Sequence, residues 1–71
     1  MSMPLYLAES NKELCVSHIT GSDTVKRHLA DMGFVDGQTI MIVTAIDDNI
    51  IVKVKGVSIA LSHELAKRIY V

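Results

Sequence analysis

The chain has 71 residues, a net charge of −1, one cysteine and an apolar fraction of 49% that is almost entirely aliphatic. That length supports one small domain, residues 1–71, which buries only about 60% of the surface its unfolded chain exposes. The dispersed Lys and Arg residues exclude the basic stripe of a non-specific nucleic-acid binder, and apolar runs such as Ile40-Met41-Ile42-Val43 fall far short of the ~20 residues that span a bilayer.

In chain order, Leu5 to Leu7 is a short apolar run that reads as an edge strand, with Pro4 tolerable at its first position. The segment Glu9 to Glu13 is a polar loop in which Asn11 is best suited to a left-handed backbone. Leu14 and Val16 alternate with Cys15 and Ser17 as in a half-buried strand. Ile19 breaks that alternation by one position, which predicts a bulge or strong twist near His18 before Gly21 ends the strand.

Ser22 or Asp23 can cap the helix that follows. Val25, Leu29 and Met32 form one apolar stripe on it, and Lys26, Arg27 and Asp31 occupy the other face. Gly33 suits the left-handed position just past the helix, with Phe34 folding back toward Leu29. Asp36-Gly37 is a turn signal.

From Gln38 to Ile46 the sequence is dense in β-branched residues, and apolar residues of both parities from Ile40 to Val43 predict a strand covered on both faces in its middle. Asp47-Asp48-Asn49 reads as a hairpin connection, after which Ile50, Val52 and Val54 point one way and Lys53 and Lys55 the other. Gly56 reverses the chain into a strand in which Val57, Ile59 and Leu61 alternate with Ser58, Ala60 and Ser62. Ser62 is a natural N-cap for a helix over His63 to Arg68, whose inner face carries Leu65 and Ile69. Ile69-Tyr70-Val71 finishes as a short strand.

Five to six short, mostly antiparallel strands in a chain this small are best closed into a bent barrel, because open apolar edges aggregate. The expected fold is mainly β: an SH3-like barrel with two short helices.

These residues resemble the FeoA family, ferrous iron transport protein A. The resemblance is carried by Leu5 and Leu7; by Leu14, Val16, Ile19 and Gly21; by Leu29, Met32, Gly33 and Gly37; by Ile50 to Gly56; and by Ala60, Leu61, Leu65, Ala66, Ile69 and Val71. It runs from about Pro4 to Val71 and departs at Asn11, where the family usually has glycine. It implies a non-enzymatic, cytoplasmic accessory of ferrous iron uptake whose partner is FeoB, a membrane transporter with its own GTP-binding domain. The same module is similar to the C-terminal domain of iron-dependent repressors, which implies a metal-responsive sensing module as the alternative.

Read for chemistry, the chain is sparse. His18, His28 and His63 form no His-x-x-x-His or Cys-x-x-Cys spacing, and a closed metal site needs about four converging ligands. They read as solvated histidines, with no metal or cofactor site assigned. Cys15 lies on the outer face or beneath a helix, with no activating base in view. The glycines sit at chain reversals rather than in a phosphate-binding loop, and no catalytic pair is evident. The three aromatics are widely spaced and include no Trp, unlike an aromatic-lined groove for Pro-rich peptides. The N-terminal Met1-Ser2-Met3-Pro4 lacks the charged and apolar regions of an export signal, and the lone cysteine fits a reducing compartment. That leaves Lys26, Arg27 and Asp31, on the exposed helix face, as the candidate partner-docking residues.

Overall fold

The computed structural model describes residues 2–71. Six strands and two α-helices follow in the order β1 (Glu13–Cys15), β2 (His18–Ile19), α1 (Asp23–Asp31), β3 (Thr39–Ile46), β4 (Asn49–Val54), β5 (Val57–Ser62), α2 (His63–Ala66) and β6 (Ile69–Tyr70). A four-stranded antiparallel sheet has the order β1-β3-β4-β5, and β2 pairs with β6 in a second, two-stranded sheet. Both sheets and both helices contribute to one core cluster, which includes Leu29 and Phe34 beside Ile40, Val52, Leu61 and Ile69.

The meander β3-β4-β5 is built by local turn chemistry. Lys55 and Gly56 have φ of 52° and 79°, the pair of left-handed residues that a type I′ hairpin between Val54 and Val57 requires. Asp47 has φ of 53° in the Asp47-Asp48 turn, and Asn49 already pairs with Ile46, so it belongs to β4 rather than to the connection. Ile50, Val52 and Val54 are buried while Lys53 and Lys55 are exposed, as the alternation predicts.

Four further local expectations are corrected. Leu5–Leu7 is a 3₁₀ turn, not a strand. Pro4 makes an isolated bridge to Tyr70, and the turn then drops Leu5 wholly into the core. The break near His18 is a change of sheet: β1 ends at Cys15 and β2 begins at His18, with Val16 and Ser17 crossing between them. β3 is not covered on both faces. Its register slips between Ile42 and Thr44, so Val43 is the extra residue of a bulge and is 39% exposed. Finally, α2 stops at Ala66 rather than Arg68, because Ile69 must leave the helix to pair with Ile19. The helix's buried residue is Ala66, with Leu65 only half-buried.

Candidate functional site

Helix α1 is fixed at both ends. Ser22 accepts a hydrogen bond from the Val25 N–H at 3.2 Å, so Ser22 rather than Asp23 is the cap. At the other end Gly33 has φ of 103°, its N–H donates to the Ala30 carbonyl, and the Phe34 N–H donates to the Leu29 carbonyl, each at 2.9 Å. That is the double bond pattern of a Schellman cap. Leu29 and Phe34 are both buried in the core cluster, and Val25 and Met32 pack half-buried against it. The helix is thus clamped from beneath.

Its outer face carries Lys26, Arg27 and Asp31, all exposed. Arg27 and Asp31, four residues apart, are neighbours on that face, with Lys26 beside Arg27. Lys26 borders a shallow groove of about 400 Å³ with Ala30, Phe34, Val35 and Asp36, closed by His18 and Ile19 of β2. Arg27 and Asp31 are not part of its lining. Val35, 42% exposed, adds apolar surface to the lining that Lys26 and Asp36 share. Sequence spacing could not have shown this groove, since its walls come from β2, α1 and the loop after α1, which is tied back to the β1–β2 crossover by the Gly37 N–H donating to the Val16 carbonyl.

The histidines are separate. His18 stacks on Tyr70 with ring centroids 4.6 Å apart and Nδ1 at 3.3 Å from Ser17 Oγ. His63 lies against Tyr6, also at 4.6 Å, and His28 is exposed on α1. Among the described residues no three His, Cys, Asp or Glu side chains converge as a metal-binding group. The donor set on this surface therefore does not fit a closed metal site. Cys15 is exposed, on the outer face rather than beneath a helix. It lines a second depression, of about 470 Å³, together with Met3, Leu7 and Val71. Among the described residues the one ion pair is Lys67 to Glu64 at 2.7 Å, and the Lys67 ammonium holds the Glu64 carboxyl below its ordinary range. Among the described residues no helix is long and apolar enough to cross a membrane.

The FeoA domain model matches residues 3–71. The chain belongs to the FeoA family. A crystal structure of an iron uptake regulatory protein (FeoA) shares 30% identity and a TM-score of 0.89, over 99% of this chain and 95% of that one. The zinc-complexed FeoA of Stenotrophomonas maltophilia shares 25% identity and a TM-score of 0.80, over 94% and 86% of the two chains. That protein is described as a unique procaryotic SH3 domain protein, and a role as a bacterial ferrous iron transport activating factor is suggested for it. The fold of this FeoA chain is accordingly SH3-like. A manganese-dependent transcriptional repressor reaches a TM-score of 0.88 at 16% identity, with 99% of this chain covering 40% of the repressor. That likeness is one of fold. None of the curated proteins compared with the chain matches it in sequence.

Proposed function

We propose that this FeoA-family chain is a cytoplasmic, non-enzymatic accessory of a ferrous iron uptake system that acts by docking to an FeoB-type membrane transporter with a GTP-binding domain. The observation that carries the reading is the family match over residues 3–71, together with 30% identity to an iron uptake regulatory protein of nearly the same length. The surface is consistent with recognition rather than chemistry. Lys26, Arg27 and Asp31 sit on a helix whose packing is complete beneath them, so their exposed ends are free to meet a partner. The partner in this reading is a protein, with no nucleic acid involved and no insertion of this chain into the bilayer.

The test is association of the purified chain with the cytosolic part of the transporter, measured by surface plasmon resonance in apo, GDP-bound and GTP-analogue-bound states. Binding in at least one state is expected. Reversing Lys26 and Arg27 to Glu should weaken it, chiefly by slowing the on-rate of a rim contact, while the fold stays within ~0.5 kcal/mol of the parent. No association in any state would remove the function. Normal binding by the reversed variant would remove only this surface.

A second reading, a metal-responsive sensing module, is favoured by the zinc-complexed relative and by the shared fold of the manganese-dependent repressor. Calorimetric titration with iron(II) and zinc separates the two. The accessory reading expects only weak, adventitious binding, whereas a stoichiometric submicromolar site lost on replacing His18, His28 or His63 by Ala would favour the sensor.

A further inference from the structure

The two edges of the four-stranded sheet differ in kind. β1 is three residues long and carries Glu13. β5 runs for six residues, Val57–Ser62, in unbroken register with β4. It contains no charge, no proline and no bulge, the devices by which native edge strands avoid pairing. Because Val54 and Val57 close a two-residue turn, Val57, Ile59 and Leu61 direct their backbone groups to β4, and Ser58, Ala60 and Ser62 direct theirs outward. Among the described residues no backbone partner outside β4 reaches Ser58 or Ala60, and both are exposed.

We propose that β5 is a strand-addition site whose occupant is a second copy of this chain, paired antiparallel about a two-fold axis through Ala60. In that register Ala60 faces Ala60 of the second copy and exchanges both backbone bonds with it, while the Ser58 carbonyl accepts from the N–H of the second copy's Ser62, whose own carbonyl begins α2, and only small side chains meet. Charge selects this occupant. The exposed Lys53 and Lys55 lie where β5 begins, and the exposed Asp47, Asp48 and Glu64 lie where it ends. Glu64 is already paired with Lys67, but no ion pair holds Asp47 or Asp48 among the described residues. The two-fold sets each copy's basic end beside the other's acidic end. The charged ends then face each other across roughly 15 Å, three strand spacings of about 4.8 Å, close to the screening length at low salt. Val57, 58% exposed at the strand's start, comes to the level of the second copy's His63. This inference does not depend on the transporter reading.

Register-specific cross-linking and sedimentation test it on the full chain. In a Cys15→Ser background, Ala60→Cys should oxidise to a disulfide-linked dimer, because directly opposed residues have Cα atoms about 5.5 Å apart. Ser58→Cys should not, since two copies of that residue stand about four rungs apart. Sedimentation velocity from micromolar to several hundred micromolar should show a reversible dimer that weakens with salt. Ala60→Pro should raise its dissociation constant at least ~10-fold with an unchanged melting temperature at concentrations where both chains are monomeric, because the lost N–H points away from β4. Lys55→Glu should weaken the dimer, and adding Asp48→Lys should restore it. A wild-type chain that stays monomeric at every concentration overturns the proposal, as does equal cross-linking of Ser58→Cys and Ala60→Cys. Capture of an unrelated extended peptide by β5 without self-association also overturns the choice of occupant.

Discussion

The two helices begin alike and end differently. Ser22 and Ser62 each accept a hydrogen bond from the N–H three residues on, at 3.2 and 3.3 Å. Yet α1 runs for nine residues and α2 for four. The start of a helix is a local matter of one hydroxyl and a few dihedrals. Its end is decided by what the following residues must do. After α1, Gly33 supplies a left-handed stop and frees the chain to turn at Gly37, whose N–H donates to the Val16 carbonyl at 2.8 Å. After α2 no glycine intervenes, and the helix stops because Ile69 and Tyr70 are claimed by β2. One helix is ended from within, the other from across the molecule.

Truncation of the inner residues should separate the helices most strongly. Leu29→Ala removes a side chain with no exposed surface and should cost about 3 kcal/mol in chemical denaturation. Leu65→Ala, at a half-buried position, should cost clearly less. Equal losses would mean that α2 carries as much of the core as α1. Next comes the stop itself. At Gly33 a Cβ would stand 3.2 Å from Val54 Cγ2 on a backbone of φ +103°, so Gly33→Val adds left-handed strain to a contact with a packed strand. We expect a loss of about 2 kcal/mol, and an unchanged denaturation midpoint would refute the cap. The shared feature should give the smaller and nearly equal effect: Ser22→Ala and Ser62→Ala at about 1 kcal/mol each, read as melting-temperature shifts. A much larger loss at Ser62 would show that the cap also anchors β5.

The smallest effect concerns charge. Glu64 has its carboxyl held down by the Lys67 ammonium, so any stability it lends is present above its unfolded pKa and is lost as pH falls through the lower, folded value. The pair is exposed, and the contribution should be barely measurable. Lys67→Met should return the Glu64 titration toward the ordinary glutamate range in a carboxyl NMR experiment. An unmoved titration would mean that another group sets it.

Features written in a few neighbouring residues were legible in the sequence. Asn11 has φ of 61°, both serine caps form, and the Leu29–Phe34 closure lies where the Gly33 signal places it. What failed was decided by distant partners. Leu5-Tyr6-Leu7 has the composition of a strand, but no neighbour offers it a ladder, and burying Leu5 beside α2 favours a turn. In the run Ile40 to Val43 the buried members are Ile40 and Ile42, Met41 is half-buried on the other face, and Val43 is the extra residue of a bulge, which composition cannot reveal. For the candidate site, exposure of Lys26, Arg27 and Asp31 followed from the stripe beneath them. The groove joining Lys26 to His18, Val35 and Asp36 did not, since no periodicity links β2 to the loop after α1.

The pairing of β2 with β6 has a consequence for the order of events when the chain folds. The meander is stitched by two-residue turns, whose closure costs little chain entropy, whereas His18 must find Tyr70 across most of the sequence. Met3 and Val71 exchange both of their backbone bonds at 2.9 Å on the same seam. The meander is therefore expected to assemble first and the seam to close last. In the native protein the same asymmetry runs backwards. Amide protons of Met3, Ser17, Thr20 and Val71 should exchange with solvent through partial openings, while those of Val52 and Leu61 should wait for the whole molecule to unfold.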